Sequence, residues 1–230
     1  MARVYNRKEA VVEYTTGIQK DVELSRNYHV QRYILSLEVN TTTTAGAVWK
    51  DDNLFRLISS LNLVANGSLN IKMIAGEKLV YNYILNNGVK PFTQVNKGAS
   101  LSNQVQKQTV FIDLVIPNEK RPQDTILFTK NFSSLYLKVK WASEAALGTG
   151  ITVNSARLSI DSEQLIGYSR ASNERINYFK ETQQVETIPG AINNHYIKLD
   201  PNQFYTGFLL ATKDADGLLQ DNLITNIRTT

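Results

Sequence analysis

The stretch LFRLISSLNLVANGSLNIKMIAGEKL (residues 54–79) alternates apolar and polar side chains on both sides of Asn66-Gly67. Such alternation is typical of a β-strand with one buried face, and Asn-Gly is a strong turn signal. The apolar residues occupy odd positions: Phe55, Leu57, Leu61 and Leu63 before the turn, and Leu69, Ile71 and Met73 after it. We therefore predict two strands whose odd-numbered side chains face a common core.

The register between these two strands depends on the turn. A two-residue turn at Asn66-Gly67 would mix the two faces, because side chains alternate with period two. A three-residue loop over 65–67 pairs Leu63 with Leu69 and keeps the odd rows together. A corner that carries the chain into a facing sheet has the same effect. Both of the latter arrangements predict a β-sandwich or barrel.

Four further segments repeat the same period. They are HVQRYILSLEV (29–39), QTVFIDLVIP (108–117), SSLYLKVKWA (133–142) and ITVNSARLSI (151–160). Gly, Pro, Asn and Asp are frequent between them, as in the turns of all-β proteins. One helix is predicted, EKLVYNYILNNG (77–88), which ends at Gly88. The fold class predicted from the period is all-β.

Composition excludes several kinds of chemistry. The 230 residues contain no cysteine, which removes disulfides, zinc fingers and thiol catalysis. An apolar content of 42% and a charged content of 20% are typical of a soluble globular domain. No P-loop and no G-x-G-x-x-G occurs in the sequence, so nothing in it predicts a nucleotide cofactor.

Two segments come near to a catalytic or metal motif. Gly167–Ala171 resembles a nucleophile elbow around Ser169, but alanine replaces the last glycine and no helix pattern follows. His195 is the available base, yet no acid follows the usual chain order. We interpret Ser169 as a linker residue.

The segment Asp214-Ala215-Asp216-Gly217 resembles the start of a calcium loop, but Thr225 stands where the bidentate glutamate belongs. A tight turn is the preferred interpretation. His29 and His195 have no second histidine or cysteine at ligand spacing, which argues against zinc. The sequence therefore predicts no catalytic residue, no cofactor and no metal site, and a protein that is not an enzyme.

Two similar segments of the sequence indicate an internal duplication. Residues 33–58 and 205–227 both open on a tyrosine strand, pass through a polar loop and continue into Asp-Asn-Leu. We predict a first unit that ends at 166, a linker over 167–175 (GYSRASNER) and a second unit over 176–230. Only about four strands fit in that second unit, so we expect it to continue beyond Thr230.

The first residues are basic. Arg3, Arg7 and Lys8 contribute to a net charge of +4. Such an arm could contact phosphate, either in nucleic acid or in lipid headgroups. A solvated terminus is the alternative, and we prefer it.

The order of strand, Asn-Gly turn, strand and short helix in SSLNLVANGSLNIKMIAGEKLVYNYILNNG (59–88) resembles jelly-roll major capsid proteins of icosahedral viruses. The likeness is greatest to the double jelly-roll kind of tailless phages with an internal membrane, and GFLLATKDADGLLQDNLITNI (207–227) adds to it. The resemblance implies an N-terminal arm and first strand over 1–24 and a jelly-roll sandwich over 25–166. A second jelly roll would begin after the linker and remain incomplete in this chain.

The resemblance also implies a function. The chain would be a structural capsid protein of the virion that assembles into homotrimeric, pseudo-hexagonal capsomers alongside other capsid and vertex proteins. Arg3, Arg7 and Lys8 would then face an internal membrane or the genome. The long polar segment 82–107 would serve in contacts between subunits or in an outward projection.

Two alternatives belong to other functional classes. One is a carbohydrate-binding β-sandwich, for example in a receptor-binding or spike protein, which would use exposed aromatic rings such as Trp49 or Trp141. The other is a jelly-roll enzyme with a pair of carboxylates.

Overall fold

The structure is a computed structural model that describes residues 3–116, 125–167, 180–188, 190, 192, 195–201, 205, 207–214, 220 and 223–224. The chain divides into two compact units, 1–183 and 184–230. None of the helices in the described residues combines the length and the apolar character that crossing a bilayer requires.

The described residues of the first unit form ten strands and one α-helix. The strands are β1 (Arg3–Glu13), β2 (Gln19–Glu23), β3 (His29–Trp49), β4 (Ile58–Ala65), β5 (Leu69–Ile74), β6 (Thr93–Gln94), β7 (Gln104–Asp113), β8 (Leu135–Trp141), β9 (Gly148–Ile166) and β10 (Glu181–Thr182). The helix α1 (Gly76–Asn87) follows β5, and short 3-10 turns cover Leu54–Leu57, Thr129–Asn131 and Glu144–Ala146.

These strands form two sheets. The first has the order β1-β9-β3-β7-β6, and the second has the order β10-β5-β4-β8-β2. We call the eight strands other than the two-residue strands β6 and β10 the principal strands. Among them, β1 pairs with β9, β2 with β8, β3 with β7 and β4 with β5, all antiparallel. The first strand thus pairs with the last and each later strand with the next one inward, which is the wrapping of a jelly roll.

The core lies between the two sheets and consists of the inward rows that the alternation predicts. Each of these side chains is at most 3% exposed: Tyr33, Leu35, Leu37 and Val39 on β3, Leu61 and Leu63 on β4, Val110 and Ile112 on β7, Leu135, Leu137, Val139 and Trp141 on β8, and Leu158 and Ile160 on β9. The all-β, jelly-roll prediction is confirmed.

The β4–β5 hairpin differs from the predicted register. Ala65 pairs with Leu69 around the loop 66–68, and Leu63 pairs with Lys72. The predicted pairing of Leu63 with Leu69 is therefore wrong, and so is the alternative of a corner between sheets, because β4 and β5 belong to the same sheet.

A β-bulge on β5 accounts for the difference. Val64 pairs with Asn70 and Leu63 with Lys72, so Ile71 is an additional residue on β5. A bulge shifts the alternation by one position. After it, Met73 is exposed, contrary to prediction, while Lys72 and Ile74 are buried.

The start of β4 also differs from the alternation. Leu54–Leu57 form a 3-10 turn in which every residue is buried, so Phe55 and Leu57 reach the core from a turn and not from a strand. Asn53 begins the turn, and its side chain accepts a hydrogen bond from the Phe55 N–H. The turn is held to α1 by Arg56, whose guanidinium lies 2.7 Å from Asp51 and 2.8 Å from Glu77.

The predicted helix is confirmed. It runs over Gly76–Asn87 and ends at Gly88, which adopts φ +69° and donates its N–H to the Ile84 carbonyl at 2.8 Å. This is the usual left-handed glycine termination of a helix. The helix leads the chain from β5 in one sheet toward β6 and β7 in the other.

In the second unit, the described residues contain local contacts. The Tyr205 and Phe208 rings stack at 5.1 Å, and Gln220 donates its backbone N–H to the Thr212 carbonyl at 3.0 Å. Most of the predicted linker 167–175 and the first residues of the predicted second jelly roll lie outside the described residues, so that division stays a prediction.

Candidate functional site

The residues considered for catalysis or metal binding do not form a site in the part of the chain that the structure describes. Ser169 and Asp216 lie outside that part. The His195 Nε2 atom is 4.0 Å from a Glu186 carboxylate oxygen, and Gln220 donates to the Asp214 carboxylate at 2.8 Å. Among the described residues, no three His, Asp or Glu side chains gather as a metal site would require.

His29 lies at the start of β3, where its ring packs against Phe128 at a centroid distance of 4.2 Å. It is 8% exposed. Burial lowers the pKa of His29, and the charge of Lys130 acts in the same direction. The imidazole is therefore a neutral packing group at neutral pH.

The two tryptophan rings are not both accessible to a ligand. Trp141 is 1% exposed and meets the Tyr14 ring edge-on at 5.3 Å, so its predicted use as an exposed sugar-binding platform is wrong. Trp49 is half-buried and packs against the core. A stacking platform needs an accessible ring face, which Trp141 lacks.

The basic residues near the N-terminus belong to strand β1. Arg3 pairs with Ile166 and Lys8 with Asp161 across the β1–β9 ladder. The Arg7 guanidinium lies 3.9 Å from the Glu9 carboxylate. Because β1 is the outermost strand of its sheet, these cations are presented along a sheet edge.

The long segment after α1 is attached to the sandwich by buried polar side chains of β7. Gln106 accepts from the Asn96 N–H at 2.6 Å and donates to the Asn96 carbonyl at 3.1 Å. Gln108 accepts from the Leu54 N–H at 2.9 Å and donates to Thr93 at 3.1 Å. The glutamines therefore hold residues 93–96 against the sheet, and the segment has a defined course over its surface.

Thr43 fixes the same segment further along. Its hydroxyl donates to the Gly98 carbonyl at 2.9 Å and accepts from the Leu101 N–H at 3.0 Å. Buried polar groups are retained where each finds a hydrogen-bond partner.

Apolar side chains remain exposed where α1 ends and this segment begins. Leu85, Val89 and Phe92 are 65%, 59% and 61% exposed, and we call them the apolar patch. Exposed apolar groups that form a continuous surface are typical of contact sites.

A charged cluster occupies the cleft between β5, α1 and the end of β7. The Lys72 ammonium, 1% exposed as a residue, lies 2.9 Å from a carboxylate oxygen of Glu181 on β10. The Asn82 amide donates to the other oxygen of that carboxylate. Burial lowers the pKa of Lys72, although the Glu181 carboxylate acts in the opposite direction.

Asp113 lines the same cleft from the end of β7. Its carboxylate lies 3.2 Å from the Arg32 guanidinium. Burial raises the pKa of Asp113, while Arg32 and Lys72 act to lower it. Sequence reasoning did not find this cluster, because simple alternation places Lys72 on the solvent side.

The pairing of the first strand β1 with the last long strand β9, in one of two facing sheets, defines a jelly-roll sandwich. The STIV MCP, a viral major capsid protein, is similar in structure, with a TM-score of 0.55 at 15% identity over 70% of this chain and 48% of that chain. The atomic structure of Sulfolobus Turreted Icosahedral Virus gives a TM-score of 0.55 at 14% identity over 70% of this chain and 45% of that chain.

At these identities, the likeness establishes the fold. This chain spans about half the length of the capsid chains that it matches. No protein-family model matches the chain, and no curated protein sequence matches it.

Proposed function

We propose that this chain is a structural major capsid protein, located in the virion, and that copies of it assemble into the icosahedral shell of a virus. The observation that carries the proposal is the complete jelly-roll pairing of the first unit, together with its similarity to the capsid protein of the turreted virus.

The physical character of the first unit suits this role. A shell subunit needs a rigid scaffold whose backbone groups are satisfied internally, and surfaces left over for neighbouring copies. The closed sandwich supplies the first, and the apolar patch on a hydrogen-bonded segment supplies a surface for the second. A role as an enzyme is not part of the proposal.

The assembly that we propose is a homotrimeric, pseudo-hexagonal capsomer of the kind built by double jelly rolls in membrane-containing phages. The residues from 176 onward would begin the second jelly roll. Arg3, Arg7 and Lys8 on β1 would face an internal membrane or the genome, and other capsid and vertex proteins would complete the shell.

Self-association of the full chain tests the proposal. We expect sedimentation velocity at increasing concentration to show a trimer, and negative-stain microscopy to show larger assemblies. Replacing Leu85 and Phe92 by Asn should weaken association by about tenfold or more, because apolar area is lost from the interface. The same substitution at Val48, an exposed apolar residue outside the segment 82–107, is the matched control.

The melting temperature distinguishes lost association from lost folding. All the substituted side chains are exposed, so each variant should melt close to the wild type when measured at low concentration. A chain that stays monomeric at every concentration would contradict the capsid proposal. Specific binding of a glycan would favour the carbohydrate-binding alternative.

A further inference from the structure

Strand β10 completes an edge of the second sheet. Glu181 and Thr182 pair in parallel with Lys72 and Met73, and without them β5 would be the outermost strand. The partner segment lies far along the chain from β5, after the last principal strand, β9. The edge of β5 and the neighbouring helix α1 form a groove in which this segment lies.

The groove presents a cation that requires an acidic partner. Because of the bulge at Ile71, Lys72 faces the interior, where a charged ammonium is costly unless it is paired. Glu181 supplies the carboxylate at 2.9 Å. Asn82 on α1 binds the second oxygen of the same carboxylate, so both oxygens are held by residues of the groove.

The groove also binds a second side chain of the segment, that of Gln183. The Gln183 side-chain carbonyl accepts a hydrogen bond from the Ala75 N–H at 2.8 Å. Ala75 is the N-cap of α1 and has no side chain that could cap the helix. Glu181 and Gln183 are two residues apart in an extended segment and so point to the same side, toward the groove.

We propose that the groove between β5 and α1 is a recognition site for an extended Glu-x-Gln peptide, and that its resident ligand is this chain's own segment Lys180–Gln183. Main-chain pairing to a sheet edge supplies affinity, and the alternate side chains supply specificity, as in other cases of β-strand addition. The docked segment fixes the point at which the chain leaves the first unit. This inference does not depend on the capsid function.

The experiment uses the full chain with its ligand removed. In the double variant Glu181→Ala/Gln183→Ala, the groove keeps Lys72, Asn82 and Ala75 but loses both groups that they bind. A synthetic peptide of residues 176–188 (INYFKETQQVETI) should bind this variant at least about tenfold more tightly than the wild type, whose groove is filled. The control peptide INYFKATAQVETI should not bind.

Hydrogen exchange locates the effect. Amides within residues 69–74 should exchange about tenfold faster in the double variant, and the 176–188 peptide should restore their protection. Equal binding of the peptide to variant and wild type, binding of the control peptide, or unchanged exchange in β5 would each overturn the proposal.

A double-mutant cycle keeps the proposal testable if the double variant folds poorly. Glu181→Ala should lower the folding equilibrium constant by about tenfold or more in the wild type, because it removes the carboxylate that lies 2.9 Å from a buried ammonium. In a Lys72→Met background, the same change should cost less than about twofold. Equal costs in the two backgrounds would refute the pairing. A wild-type dimer that Glu181→Ala converts to a monomer would instead assign the ligand to a second copy and overturn the assignment to the chain's own segment.

Discussion

The contact between α1 and the preceding 3-10 turn permits no side chain at Gly76. A Cβ atom there would lie 2.3 Å from the Phe55 carbonyl oxygen and 2.8 Å from both the Cβ and the carbonyl oxygen of Ile58. Two of these three atoms are backbone, which cannot rotate away. In Gly76→Ala, the helix or the turn must therefore move by about 1 Å, and such overpacking costs roughly 1–3 kcal/mol or more.

Helix propensity opposes this cost only in part. Alanine is favoured over glycine by up to about 1 kcal/mol inside a helix, and Gly76 is the first helical residue. We expect a net loss of about 2 kcal/mol in the free energy of unfolding. For a domain of this size, that loss corresponds to a decrease of roughly 4–8 °C in melting temperature.

Thermal and urea melts monitored by circular dichroism measure the effect. Asn86→Ala is the matched control, because Asn86 is exposed on the same helix and alanine there should leave stability equal or slightly higher. If Gly76→Ala melted together with the wild type, the close packing of α1 on the turn at Leu54–Leu57 would be refuted.

Three further predictions concern the core, an acid-sensitive group and the hairpin. Leu63→Ala should cost about 2–5 kcal/mol in urea unfolding, since Leu63 is fully buried on β4, the strand between β8 and β5. A loss below about 1 kcal/mol would contradict its place in the core. The pKa of His29 is lowered from 6.5, so the stability that its neutral form contributes is present above pH 6.5 and is lost as the pH falls through the lowered pKa. His29→Gln should therefore flatten the acid side of a plot of urea midpoint against pH. An unchanged plot would be evidence against this cause. Asn66→Ala should cost about 1–2 kcal/mol in thermal unfolding, because it strains a φ of +51° and loses the hydrogen bond from the Ser133 N–H at 2.8 Å, whereas Asn66→Gly should lose only the hydrogen bond.

The side chains that face the core could be predicted from the sequence because the alternation that buries them is a local property of each strand. Tyr33, Leu35 and Leu37 alternate with polar residues, and a sandwich buries one face of each strand. The partners of those strands could not be predicted in this way. The pairing of β1 with β9 joins Arg3 to Ile166, and nothing in the period of either strand specifies the other.

Polar residues inside the sandwich were missed for a related reason. Gln106 and Gln108 occupy inward positions of β7, where alternation alone predicts apolar side chains. Their hydrogen-bond partners, Asn96 and Thr93, come from a segment whose course the sequence pattern does not reveal. A buried glutamine is acceptable only when such partners exist, so its position cannot be inferred before the loop is placed.

The β-bulge at Ile71 in the β4–β5 hairpin explains why the first unit includes strand β10. With uninterrupted alternation, Lys72 would point to solvent and β5 could end the sheet as an exposed edge. The additional residue turns the lysine inward, where its ammonium is stabilised by a nearby carboxylate. Glu181 provides that carboxylate after the sandwich is otherwise complete. The compact unit therefore extends to Gln183 and includes strand β10.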